Sequence, residues 1–352
     1  MPKTAVLLLA HGTPDSIEEI PAYLANVTSG RPLPPSVIAE IQHRYSLIGH
    51  SPLTEITFQQ AAHISKELGI PTYVGMRNWK PYIRDTVLQM AADGVTHALA
   101  ICLAPHNSRT SVGLYQRAVV GEASASSRSG ELAAYPPSAS GRSGELAAHP
   151  PSASGRSGEL AAYPPALAAK SAPFTLDFVP EWHSEPLLIR AFSEKLRDGW
   201  SRACLEANAP VPVLFTAHSV PVRTIEAGDN YERQTRETAE LVAASVPEIA
   251  GHWRFAFQSQ GMSGGEWLGP TVESVIEELA AAGHKYLFVQ PIGFVCDHVE
   301  VLYDVDIAFK NFAAVRGIIL TRAESLNDSV LFARAVAQLA RTRLALAAQP
   351  GQ

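Results

Sequence analysis

Cysteine is scarce. Three residues, Cys102, Cys204 and Cys296, are spread over a chain of 352. No C-x-x-C pair exists, which excludes a redox or zinc motif of that spacing, and no cysteine cluster suits an iron–sulfur centre. Cys102 and Cys296 lie in apolar, strand-like stretches and read as small buried hydrophobes. A dense basic run is also missing. Lys and Arg total 28 against 34 Asp and Glu, a net charge of −6. That balance excludes binding to nucleic acid, or to an anionic membrane through a basic patch. No apolar stretch approaches the roughly 18 residues of a membrane span. The run Ala5–Ala10 is too short for the core of a signal peptide. A cytoplasmic protein is expected, whose partner is a small molecule or another protein. No G-x-x-x-x-G-K-[ST] loop occurs. The glycine-rich stretch Met262–Pro270 lacks the phosphate-loop lysine and does not follow the dinucleotide fingerprint.

What the chain does contain is a globular composition, 46% hydrophobic and 18% charged, and enough length for two cores. The stretch Val213-Leu-Phe-Thr-Ala-His-Ser-Val-Pro221 runs apolar, β-prone residues into a small residue, a histidine and a turn. A buried strand delivers a side chain to the carboxyl edge of a parallel sheet in this way, and α/β proteins place their ligands at that edge. Val6-Leu-Leu-Leu-Ala-His-Gly-Thr-Pro14 echoes it at Val, Leu, Ala, His and Pro. Two related halves are expected, each offering a histidine to a shared cleft.

Strands are expected at 4–10, 71–75, 97–103, 174–180, 211–216, 252–257, 285–291 and 317–321. Helical patterns lie between them at 16–27, 35–45, 54–68, 80–93, 185–205, 231–244, 270–282 and 328–346. Alternating strands and helices indicate βαβ units and a mostly parallel sheet. Two sets of four strands fit the duplicated motif. The third strand of each set also ends alike, at Leu103-Ala-Pro-His106 and at Pro291 through His298. One segment stands apart. From Ser129 the chain repeats SGELAAYPPSASGR with a 14-residue period as far as Lys170. Few large apolar residues and recurrent Pro-Pro oppose a packed core, so 124–171 is expected to be a solvated, disordered insertion.

Two constellations carry chemistry. His218 sits at a strand end; it reads either as a buried histidine satisfied by a carbonyl or as a functional imidazole. Gly293-Phe-Val-Cys-Asp-His-Val-Glu300 continues to Asp304. A helix starting near Cys296 or Asp297 would place Glu300 and Asp304 on one face and Asp297 at its cap. The alternatives are a solvated face and a plain cap. An imidazole with nearby carboxylates suits Fe²⁺, Zn²⁺, Co²⁺ or Ni²⁺, and also proton transfer near neutral pH. A Ser219–His218 hydrolase pair is disfavoured, because adjacent strand residues point oppositely.

The same residues resemble the ferrochelatase family, whose members insert ferrous iron into a porphyrin. The motifs are Ser51-Pro-Leu53, Ala217-His-Ser-Val-Pro221, Gln258-Ser259, Trp267-Leu-Gly-Pro270 and Gly293 through Asp304. They run in order over nearly everything except 124–171 and the last few residues. The resemblance implies an α/β fold of two similar Rossmann-like domains. Each would hold a four-stranded parallel sheet flanked by helices, with the porphyrin cleft between them. The expected domains are 1–123 and 172–325, followed by a helix and tail, 326–352, packing on the N-terminal domain. By position His218 matches the family's active-site histidine and Glu300 its partner carboxylate. The resemblance assigns them metal binding and removal of pyrrole protons, without saying which does which, and makes Asp304 a further candidate ligand. Fe²⁺ is then a substrate and no cofactor is consumed. Porphyrin and ferrous iron are the implied partners, with transient contact to neighbouring heme-pathway enzymes.

Within the family, Asn26–Arg31 and Leu103–Ser108, with Ser111, Val112 and Tyr115, look like the soluble branch that uses coproporphyrin III. Arg31, Tyr45, Ser51 and Tyr115 match positions expected to contact its four propionates, for which guanidinium and hydroxyl donors suit. Protoporphyrin IX is the alternative substrate; a cobalt or nickel chelatase and a non-catalytic carrier are rival readings. Two departures stand out. His11 occupies a position where some members of that branch carry Tyr facing the iron opposite the catalytic histidine. It reads as an alternative axial ligand or as a turn residue. Ala308 replaces a carboxylate in the acidic ladder that other members carry, which bears on a secondary metal site.

Overall fold

The computed structural model describes residues 3–125, 174–260 and 265–347. Eight strands form among the described residues: β1 (Thr4–Ala10), β2 (Thr72–Met76), β3 (His97–Cys102), β4 (Thr175–Val179), β5 (Val213–His218), β6 (Trp253–Gln258), β7 (Tyr286–Pro291) and β8 (Ile319–Arg322). They build two four-stranded sheets, ordered β2-β1-β3-β4 and β6-β5-β7-β8. Every pairing is parallel. The central strands are buried almost throughout, β1 from Ala5 to Ala10 and β5 from Val213 to Ala217. Helices cover both faces of such sheets, which is why the strands are continuous apolar runs without alternation. Each fully buried Leu, Ile or Phe contributes about 1.5–3 kcal/mol of transfer free energy.

The two sheets share one topology, so β1 and β5 occupy equivalent central positions. Register carries the equivalence to their ends: Ala10 pairs with Met76 on β2, and His218 with Gln258 on β6. His11 follows β1 directly, and His218 closes β5.

Helix ends follow local chemistry. Pro35 and Pro186 open Pro35–Ile48 and Pro186–Ala207, where a missing N–H has no cost. The latter stops at Asn208, in the left-handed conformation with φ 50°. The helix Val330–Ala347 packs against both Leu53–Leu68 and Pro186–Ala207, so it touches elements of both halves. Its Phe332 and Val336 share a core with Leu8 of β1 and Phe215 of β5. Arg341 reaches Glu67 at 3.3 Å. Among the described residues no helix is long and apolar enough to cross a membrane. The 14-residue repeats, and the insertion expected around them from residue 126 to 171, lie outside the described residues.

Three local expectations are corrected. Val112–Ala125 forms a helix that the periodicity did not single out. The helix expected from Cys296 or Asp297 starts at Val299 and covers only Val299–Leu302. A π-helical segment, Asp304–Phe309, follows, with the Tyr303 carbonyl accepting from both Ile307 and Ala308. Asp297 does not cap this helix. Its carboxylate accepts from Ser325 Oγ (2.7 Å) and Asn327 Nδ2 (3.0 Å) and pairs with Arg322 (3.2 Å). A charge-assisted pair with a largely buried guanidinium is stronger than a cap on a single helical turn.

Candidate active site

The carboxyl ends of β1, β3, β5 and β7 open onto one cleft of about 490 Å³, a size suited to a small-molecule site. Both halves supply its walls. From the first come His11, Tyr45, Ser51, Arg77 and Tyr115; from the second come His218, Arg223, Trp267, Phe294, His298 and Glu300.

Two close backbone approaches shape these walls. Gly12 has φ +84°, and a Cβ there would meet the Trp79 nitrogen at 2.8 Å. Only glycine fits, and the turn after β2 closes on the end of β1. Arg77 N–H donates to the Ala10 carbonyl (3.0 Å) and Asn78 N–H to the His11 carbonyl (2.9 Å). The Asn78 amide also lies 3.0 Å from His11 Nε2. In the second half a Cβ on Gly293 would meet Ala217 Cα at 2.8 Å. The loop after β7 therefore lies directly on the end of β5.

Three ionisable groups meet on the second wall. Glu300 Oε1 is 3.5 Å from His218 Nε2, and Oε2 is 3.4 Å from His298 Nε2. Each imidazole is oriented by a carbonyl that accepts from its Nδ1, Ser219 for His218 and Cys296 for His298. Both Nε2 atoms are thereby left for the carboxylate. Tyr231 donates to the His218 carbonyl (2.9 Å), and Gln258, held by Thr216 Oγ1 (2.7 Å), donates to the Glu300 carbonyl (3.0 Å). Burial is the largest single influence on His218 and would lower its pKa. The charge and hydrogen bond of Glu300, the Ser219 carbonyl and the Asp304 charge together outweigh it, and the pKa is raised. Burial alone would raise Glu300, yet the His218 charge and the hydrogen bonds from His218 and His298 hold it well below the usual carboxylate range. An anion between two imidazoles results.

The first wall is different. His11 keeps an edge exposed to the cleft, but protein mass surrounds the ring. Desolvation pushes its pKa down to about 4, with Arg77, His298 and His218 assisting and Glu300 opposing. It is a neutral imidazole at neutral pH. The Tyr45 hydroxyl is 3.0 Å from Thr13 Oγ1, and burial pushes its pKa up to about 12. Ser51 Oγ is buried without a protein partner among the described residues. Burial also raises Tyr115, and the Arg77 guanidinium lies 6.0 Å over its ring. Burial pushes the cleft thiols Cys102 and Cys296 up to about 12 each, so both remain protonated.

His11, Tyr45, Ser51, Tyr115, His218 and Glu300 are thus brought together. Arg31 is not; it is exposed, and its Nε donates to the Thr28 carbonyl (3.1 Å). Asp304 lies beyond the cleft lining. It accepts from Ser259 and sits 3.7 Å from Arg44. Burial pushes its carboxyl up to about 6, with Glu300 adding to the rise and Ser259, Arg44 and His218 opposing it. Arg77, Arg223 and His298 were not singled out from the sequence. Arg77 carried a usable signal, since it directly follows β2 and so stands at a strand's carboxyl end.

Two parallel sheets that open their carboxyl edges onto a shared cleft, with an imidazole–carboxylate cluster on one wall, define a chelatase-like protein. The fold is also that of a solved structure of SirB from Bacillus subtilis with Fe³⁺: TM-score 0.54, 11% identity, covering 96% of this chain and 94% of that one. The family model for ferrochelatase matches residues 3–134 and 152–344. A ferrochelatase from Acidobacterium capsulatum is 47% identical over 356 residues, 97% of this chain and 95% of its own length. A coproporphyrin III ferrochelatase from Geobacillus sp. (strain WCH70) is 30% identical over 355 residues, 98% and 99% of the two chains. The chain belongs to the ferrochelatase family, enzymes of the lyase class.

Proposed function

We propose that this ferrochelatase inserts Fe²⁺ into coproporphyrin III, giving the iron porphyrin and two protons. The observation that carries the reading is the Glu300 carboxylate held between His218 and His298 on one wall of the cleft. Metal insertion replaces two pyrrole N–H protons with one dication. A site for it needs nitrogen and oxygen donors for ferrous iron and groups that accept protons near neutral pH. His218 serves both needs, Glu300 supplies an oxygen donor and the charge that raises His218, and His11 offers a neutral nitrogen from the other wall. No cofactor is consumed, since the porphyrin supplies four nitrogens and no electron is transferred. Four propionates favour coproporphyrin III. Arg77 and Arg223 bring guanidinium groups to the walls, and Tyr45, Ser51 and Tyr115 bring hydroxyls. Ser51 Oγ, buried without a partner among the described residues, has a hydrogen bond to give.

The test is anaerobic Fe²⁺ insertion followed side by side with coproporphyrin III and protoporphyrin IX. A higher kcat/KM for coproporphyrin III is expected; equal or reversed values overturn the substrate assignment. His218→Ala should abolish insertion while porphyrin binding survives, and insertion at the wild-type rate would remove the role given to His218.

A further inference from the structure

Glu300 and His298 are only as well placed as the segment leading into them. Val295–Asp297 has no helix or strand to hold it. It is held by a residue 30 positions further on. Asn327 adopts the left-handed backbone conformation, φ 46°, which asparagine tolerates better than most residues. Its N–H donates to the Val295 carbonyl (2.9 Å). Its Oδ1 accepts from the Asp297 N–H (2.8 Å), and its Nδ2 donates to Asp297 Oδ2 (3.0 Å). Its carbonyl accepts from Gln60 Nε2 (2.7 Å). Gln60 is fully buried on the helix Leu53–Leu68 of the first half. Between the two polar anchors, Cys296 packs on Leu53 and Ile56 of that same helix.

Both polar atoms of the Asn327 side chain are therefore spent on position 297, and its backbone joins position 295 to the opposite half. Ser51 and Leu53, at the start of the Gln60 helix, line the same cleft. We infer that Asn327 is a positioning residue for metal insertion: it clamps Val295–Asp297, and through it His298 and Glu300, to the first-half helix, fixing the spacing of the two walls. The inference rests on the reading that His218 and Glu300 serve the insertion chemistry. It differs from a plain packing role because its two side-chain bonds can be removed without altering the backbone conformation.

The test uses full-length protein. In Asn327→Gly the backbone keeps φ 46° without strain, so the bonds to Val295 and Gln60 persist and only the two side-chain bonds to Asp297 are lost. Misplacement of reacting groups by an ångström costs on the order of 100-fold. kcat per folded enzyme for Fe²⁺ insertion is expected to fall about 10- to 100-fold, with the porphyrin Kd within about threefold of wild type. Asn327→Asp sets two carboxylates against each other and should be as slow or slower. The swap Asp297→Asn with Asn327→Asp restores the donor–acceptor pair in reverse and should recover most of the lost kcat. The inference is overturned if Asn327→Gly keeps kcat within twofold while its melting temperature drops, if the loss lies in Kd and not in kcat, or if the swap is no faster than Asn327→Asp alone. Insertion by His218→Ala at the wild-type rate would strike the proton-handling reading instead, so the two failures are told apart.

Discussion

Replacing Glu300 by Gln keeps the shape of the site and removes one negative charge from between two imidazoles. Unit charges 3.5 Å apart, the separation of Glu300 and His218, interact by about 5 kcal/mol at an effective dielectric constant of 20. The side chains are 37% and 31% exposed to the open cleft, so solvent screening leaves on the order of 1 kcal/mol, less than a tenfold effect on the protonation of His218. Loss of one member of the His218–Glu300 acid–base pair is larger, about 10²- to 10⁴-fold. Glu300→Gln should therefore lower kcat for Fe²⁺ insertion by about 10²- to 10⁴-fold and leave porphyrin affinity within about threefold. The pH profile gives an independent sign. His218 is raised because Glu300, Ser219 and Asp304 together outweigh desolvation. Without the carboxylate's charge, desolvation gains the upper hand and the imidazole loses its proton at lower pH. On the proposal that neutral His218 takes the proton, the rising limb of kcat/KM should move toward acid in the variant. The assay is anaerobic and follows the porphyrin absorbance from pH 5 to 9, a window spanning about two units either side of neutral. A Glu300→Gln rate within about fivefold of wild type, with the limb unmoved, would refute the reasoning.

Two further outcomes are expected. The folded pKa of Asp304, about 6 against an ordinary value of 3.8, means that the fold binds this proton more tightly than the unfolded chain does. Its contribution is full below about pH 4 and lost as pH rises through about 6, a change of at most about 3 kcal/mol. Asp304→Asn should flatten the part of the Tm decline seen between those pH values, and a decline identical to wild type would contradict the shift. Gly293→Ala would drive a methyl group to 2.8 Å from Ala217 Cα. It should destabilise the protein by about 1–3 kcal/mol and slow insertion by moving the loop beside His218; an unchanged Tm and rate would count against that close approach.

The sequence pattern located the eight strands to within two residues, because each buried strand is a local apolar run bounded by turn residues. It was weaker where geometry is not local. The spacing suggests a helix starting near Cys296 or Asp297 with Glu300 and Asp304 on one face, but Asp297 is claimed by Arg322, Ser325 and Asn327, and the helix is delayed to Val299 and widened after Tyr303. Arg31 and Tyr45 looked equivalent as carboxylate donors. Tyr45 is buried on the cleft wall against Thr13, while Arg31 folds back on Thr28 outside it.

The chain by itself determined the alternation of strands and helices, the duplicated Ala-His strand ends, and the Gly293–Asp304 motif that joins His298 and Glu300 in one stretch. These are properties of neighbouring residues, and periodicity or spacing suffices to express them. Only the tertiary structure decided the shared strand order of the two sheets, the meeting of His218 with a carboxylate 82 positions away at 3.5 Å, the neutral state of His11, and the attachment of Val295–Asp297 to Gln60 through Asn327. Each depends on which distant groups burial brings together, and on whether desolvation or a neighbouring charge prevails once they are there.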